Sequence, residues 1–92
     1  MLKIKFTGQF KRDYKSALKR GCDPDKLSAV ISILCKEEQL PERYKDHVLK
    51  NSKNYKDMRE CHIQPDWLLV YKVEREILVL KLIRTGSHDD LF

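Results

Sequence analysis

Apolar and polar residues alternate from Leu2 to Phe6, with Leu2, Ile4 and Phe6 set against Lys3 and Lys5. That period of two predicts a half-buried strand. The period then lengthens. Phe10, Tyr14, Ala17 and Leu18 fall on one face of a helix that Thr7 can cap and Gly21 can stop. Asp23-Pro24 restarts a helix with an acid at the cap and proline in the first turn. Leu27, Val30, Ile31, Leu34 and Cys35 form its buried stripe, and Pro41 is the expected end.

A basic, irregular stretch follows, and then three strand-like runs: Tyr55 to His62, Trp67 to Glu74 and Ile77 to Arg84. Gln64-Pro65-Asp66 and Glu74-Arg75-Glu76 read as the turns between them. The pattern predicts an α+β fold, with an N-terminal strand and two helices packed on one face of an antiparallel sheet. Ninety-two residues without repeat or linker suit a single domain spanning residues 1–92.

Composition narrows the picture. The chain is 41% hydrophobic and 36% charged, with 3 Gly and 3 Pro, which excludes disordered and collagen-like classes. The longest apolar run, Trp67 to Tyr71, falls far short of the ~20 residues of a membrane span. No secretory signal pattern is visible at Met1 to Phe6, so the expected location is the cytoplasm. Cys22, Cys35 and Cys61 are odd in number and widely spaced, which argues against a disulfide framework or a zinc ribbon. Cys35 belongs to the core stripe, and Cys61 beside His62 is at most half a metal site.

The net charge of +5 favours an anionic partner. Its densest part is Arg43 to Arg59, where Arg43, Lys45, Lys50, Lys53, Lys56 and Arg59 face only Asp46 and Asp57. Alone, such a stretch reads as a solvated surface loop sooner than as a binding site.

Turn geometry adds candidate chemistry. If Val73 pairs with Ile77, Asp66 lies opposite Arg84, and a one-residue slip substitutes Trp67. The preceding hairpin sets His62 beside Trp67, and His88 lies just beyond the strand that carries Arg84. His62, Asp66, Trp67, Arg84 and His88 are therefore expected at one end of the sheet, with His47 unplaced. Each has an ordinary structural reading on its own: a strand-end histidine, a turn aspartate, a core tryptophan, a surface ion pair or a helix start. Together they supply what metal-independent RNA cleavage requires. A base takes the ribose 2′-OH proton, a cation stabilises the charge growing on phosphorus, and an acid protonates the leaving 5′-oxygen.

Tyr44-Lys45-Asp46-His47, Arg59-Glu60-Cys61-His62, Pro65-Asp66-Trp67, and Arg84-Thr85-Gly86-Ser87-His88 ending in Leu91-Phe92 closely resemble the YafQ-type toxins of the RelE/ParE superfamily. The resemblance runs over essentially the whole chain. It implies an mRNA interferase of a bacterial type II toxin–antitoxin system, one that enters the ribosomal A site and cuts the mRNA there without a cofactor. It further implies a ribbon-helix-helix antitoxin and a toxin–antitoxin heterotetramer.

By resemblance, His47, His62, Asp66 and His88 match catalytic acid–base positions, and Arg84 matches a phosphate-binding arginine. Trp67 and Phe92 match aromatics that either support the site or stack a base. His88 is the expected general acid, with His62 or Asp66, helped by His47, handling the 2′-OH. Lys50, Lys53 and Lys56 become expected contacts to RNA phosphates. One departure is Val48, where the family pattern has proline after the first histidine. The competing readings are a ParE-like toxin that binds DNA gyrase, and a plain RNA- or protein-binding module. The histidine cluster favours the nuclease.

Overall fold

The computed structural model describes residues 1–50, 53 and 55–92. Its elements are β1 (Lys3–Phe6), α1 (Gly8–Lys19), α2 (Pro24–Cys35), a 3-10 turn (Glu42–Tyr44), β2 (His47–Val48), β3 (Arg59–Gln64), β4 (Trp67–Glu74), β5 (Val79–Gly86) and α3 (His88–Leu91).

Local chemistry sets the helices. The Thr7 hydroxyl accepts from Phe10 N–H to open α1, and Gly21 takes up the left-handed conformation just past its end. Asp23 caps α2, with Pro24 in its first turn. That helix stops at Cys35 rather than running to Pro41, because Glu37 turns the chain with a positive φ of 57°.

The five strands form one sheet in the order β1-β5-β4-β3-β2. β1 runs parallel to β5 and the other neighbours are antiparallel, so the sheet is mixed. β1 is an edge strand, and its Ile4 and Phe6 are 42% and 47% exposed rather than half-buried. Leu2 is the residue that plugs the core there.

Both expected hairpin registers shift. The β4–β5 turn spans Arg75 to Leu78, closed by Ile77 N–H to Glu74 O and Leu78 N–H to Arg75 O. Glu74 therefore pairs with Val79, and Val73 with Leu80 rather than Ile77. A bulge then takes the register from Tyr71–Leu82 to Val70–Arg84. Arg84 thus lies opposite Val70, not Asp66 or Trp67. In the β3–β4 hairpin Gln64 pairs with Trp67, and His62 with Leu68 rather than Trp67.

Alternation along the strands divides the sheet into two faces. Cys61, Ile63, Trp67, Leu69, Tyr71, Leu80 and Leu82 join Leu27, Val30, Leu34 and Cys35 in the main core. On the other face Leu68, Val70, Tyr55 and Leu91 make a smaller cluster, packed by Leu49, Met58 and Ile83. Leu49, Tyr55 and Met58 pack on this second face, with Leu49 N–H donating to Met58 O at 2.9 Å.

Candidate active site

The second face carries the polar residues. His47 pairs with Glu60, Glu60 with Val70, and Val70 with Arg84, so one transverse row crosses four strands. His62 occupies the next row, opposite Leu68 and then Gly86. Because paired residues point to the same side of a sheet, His47, Glu60 and His62 belong to the face away from α1 and α2, whereas the Arg84 side chain, at the β5 edge, reaches Asp13 of α1.

Glu60 is buried and lies between two imidazoles. Its Oε1 is 3.2 Å from His62 Nε2 and 3.9 Å from His47 Nε2, with the rings 6.5 Å apart. The shorter contact is an ion-pair approach of the Glu60 carboxylate to His62 Nε2. The Nδ1 of His47 is 2.8 Å from the carbonyl oxygen of Lys45, which assigns that ring's proton to Nδ1 and turns Nε2 toward Glu60.

The loop that carries His47 is pinned next door. Asp46 receives Arg59 Nη2 at 2.9 Å and the Tyr71 hydroxyl at 2.6 Å, while Lys45 adopts a left-handed φ of 50°. Burial, and then the neighbouring Asp46 carboxylate, push the Tyr71 phenol well above its ordinary value. With Val48 in place of proline, this anchoring sets the loop.

Arg84 stands where β1 has left the edge of β5, open to α1. Its Nε and Nη2 each donate to Asp13 at 3.0 Å, and Thr85 N–H donates to the same carboxylate. Tyr55, on the second face, also hydrogen-bonds Arg84. The Asp13 bond, with Tyr55 adding to it, raises the guanidinium further above its ordinary value despite partial burial, so it stays cationic. Burial acts to raise the Asp13 carboxyl, but bonds from Arg84, Gln9 and Thr85 outweigh it and hold it below the usual range. A guanidinium has five N–H donors. Asp13 takes two, which fixes the fork and leaves donors for a phosphate.

The α3 turn closes the group. Ser87 and Asp90 form a reciprocal capping box, and Arg20 clasps Asp90 at 2.6 Å, tying the end of α1 to α3. The Arg20 bond, followed by those from Ser87, holds the Asp90 carboxyl well below the usual carboxylate range. The His88 ring lies 5.1 Å from that of Phe92, which meets Tyr55 edge-on at 5.4 Å. Asp66 Oδ1 accepts from His88 N–H at 3.4 Å. Asp66 and His88 therefore do adjoin, and Asp66, Trp67 and Arg84 line one cleft together with Asp13 and Arg20.

Trp67 is buried in the helix-side core at 3% exposure, and its indole N–H donates to Thr85 Oγ1. In this arrangement it supports the sheet and offers no face to a base. Phe92 is 52% exposed. Lys50, Lys53 and Lys56 are all exposed. Arg59 is drawn to Asp46 on the helix side, away from the histidines. Cys61 is buried among core residues, and burial pushes its thiol up to about 12. Among the described residues no three His, Cys, Asp or Glu side chains gather as a metal site.

Sequence reasoning missed Glu60 and Asp13. Glu60 stands two residues before His62, the spacing that puts both on one strand face, and that signal was readable. Asp13 lies 71 residues from Arg84 and gave none.

The family model describing the bacterial YafQ toxin of type II toxin–antitoxin systems matches residues 2–92. The chain belongs to the YafQ family. The mRNA interferase toxin YafQ of Escherichia coli (strain B / BL21-DE3) is 41% identical over 90 residues, covering 97% of this chain and 94% of that protein. The fold matches a metal-bound toxin from Helicobacter pylori with a TM-score of 0.93 and 43% identity, covering 100% of both chains. It also matches the YafQ chain of the E. coli DinJ-YafQ complex, with a TM-score of 0.88, 40% identity and coverage of 100% and 99%. YafQ membership agrees with the α+β architecture and with the order of the histidine-bearing segments.

Proposed function

We propose that this chain is the toxin of a type II toxin–antitoxin system, an mRNA endoribonuclease that cleaves by 2′-OH attack in the ribosomal A site and so stops translation. The carrying observation is the register row that sets His47 and Glu60, with His62 beside them, on the sheet face that the helices leave open and Arg84 at its β5 edge.

Each role has a group. His47 Nε2 has its lone pair free to take the 2′-OH proton, since Nδ1–H is spent on the Lys45 carbonyl. Glu60 lies close enough to stabilise the imidazolium that forms, and it holds His62 in place alongside. Arg84, aimed by Asp13, meets the phosphate oxygens as charge grows on them. His88, on the capped α3 turn, protonates the departing 5′-oxygen. Asp66 accepts from the His88 amide, so its part is to place that residue. These side chains complete the reaction without a metal. Lys50, Lys53 and Lys56 hold ribosomal and messenger phosphates.

A ribbon-helix-helix antitoxin masks the toxin in a heterotetramer, a reading supported by the complex of the E. coli relative with DinJ. No helix among the described residues is long and apolar enough to cross a membrane, in keeping with action on cytoplasmic ribosomes.

The test is expression of the wild type beside His88→Ala and Arg84→Ala, with mapping of mRNA 5′ ends. New in-frame ends that vanish in both variants, together with toxicity, are expected. Toxicity without cuts, untouched by either substitution, would point to a gyrase-type or binding mechanism.

A further inference from the structure

On the outer side of β3, beside His62, lies a cleft of about 640 Å³. β2 covers β3 only at Arg59 and Glu60, so from Cys61 to Gln64 no described strand pairs with its outer edge, which the 3-10 turn and α2 approach instead. Ala29 of α2, Tyr44 of the 3-10 turn, Ile63 and Pro65 give the cleft an apolar lining. Lys26, Arg43 and Lys45 rim it against Asp25 alone. The Arg43 guanidinium sits 4.8 Å from the centroid of the Tyr44 ring, and its Nη2 donates to the Tyr44 hydroxyl at 2.9 Å.

An apolar slot with a guanidinium-capped aromatic, a strand edge and a cationic rim suits an unstacked nucleotide. The base face packs on Arg43 and the apolar lining, its edge finds Gln64 or the β3 backbone, and its phosphate meets the rim. His62 belongs both to this cleft and to the polar face. A strand whose scissile phosphate lies at Arg84 can therefore continue past His62 into it.

We propose that this cleft is a base-binding subsite for the nucleotide next to the scissile phosphate, with Arg43 and Tyr44 as its stacking platform. The proposal rests on the RNA-cleaving reading and adds a determinant of where the mRNA is cut.

The test compares wild type with Arg43→Ala on programmed ribosomes. Their mRNAs are either intact or carry one abasic nucleotide immediately 5′ or 3′ of the cut. Arg43 is exposed, so its removal spares the core, and Gln64→Ala serves as a second variant. Wild type should slow roughly tenfold on one of the two abasic messages, the worth of a stacked base. Arg43→Ala should already be slow on intact mRNA and lose little more on the abasic one. Independent, multiplying losses would place the base elsewhere and overturn the proposal. So would unchanged cleavage by Arg43→Ala with weakened antitoxin binding, which would assign the cleft to the antitoxin. A wild type that leaves intact mRNA uncut would instead remove the functional reading itself, and the subsite with it.

Discussion

Along β3, neighbouring residues lead separate lives. Cys61 and Ile63 point into the helix-covered core, while Glu60 and His62, alternating with them, face the opposite side and pair with each other. On β4 the same alternation gives Leu69 and Tyr71 to the main core, and Leu68 and Val70 to the floor beneath the polar row. The two faces have the same backbone but opposite requirements. The helix side excludes water and is apolar, and the polar pairs at its edges, such as Tyr71–Asp46, are fully engaged. The open side keeps titratable groups within reach of solvent, with only a small apolar cluster to hold Tyr55 and α3 in place. Stability is concentrated on one side of these strands and the proposed chemistry on the other, so substitutions one residue apart should fail in different ways.

The largest effects belong to the open face. His88→Ala and Arg84→Ala should each cut the cleavage rate by roughly 10²–10⁴-fold, the usual range for losing a positioned acid–base group. Circular dichroism should show the fold retained. If either variant lost activity only in proportion to unfolded protein, the division between faces would fail. One step down is the neighbouring pair Glu60→Gln and Ile63→Ala. The first should slow cleavage and change the His62 ¹⁵N imidazole shifts. The second should cost about 2–5 kcal/mol of stability for its lost core packing, read by urea denaturation, and leave those shifts alone.

Asp13 joins the two faces, because it stands on α1 and aims Arg84. Its side chain is only 9% exposed. Asp13→Asn should destabilise the fold by about 1–3 kcal/mol and lower kcat by loosening the guanidinium. Its folded carboxyl titrates below the ordinary 3.8, so its contribution to stability is complete above that value and is lost as pH falls through the lower folded one. Asp13→Asn should accordingly flatten the acid limb of the stability profile below about pH 4. An unchanged limb would remove the pair from the account.

Which parts of this were legible in the sequence follows from how local their causes are. Thr7, Asp23-Pro24 and Gly21 act on their own turns, and both helix starts fall where those residues place them. The site's register did not, because Ile77 and Leu78 look like strand residues and yet form the turn, 63% and 59% exposed. The bulge near Ile83 then shifts Arg84 once more, setting it opposite Val70. The histidines stood out as candidates and Glu60, two residues before His62 on the same strand, was readable beside them, whereas Asp13, which holds Arg84, came from distant α1. Trp67 shows the reverse case: a conspicuous aromatic beside the candidate site that packing assigns to the other face.

Smaller effects sharpen the edges. Charge reversal at Lys50, Lys53 and Lys56 should weaken ribosome binding severalfold and flatten its salt dependence, without altering the chemical step. Tyr71→Phe should cost only about 0.5–1.5 kcal/mol, showing up mainly as a looser His47 loop in its imidazole shifts.

The central claim, that the open face cuts RNA through its own 2′-OH, is tested most directly by changing one atom of the substrate. A ribosome-bound mRNA with a single 2′-deoxy nucleotide on the 5′ side of the scissile phosphate should remain uncut at that position, while the all-ribose message is cleaved. Equal cleavage of the two messages would contradict the account.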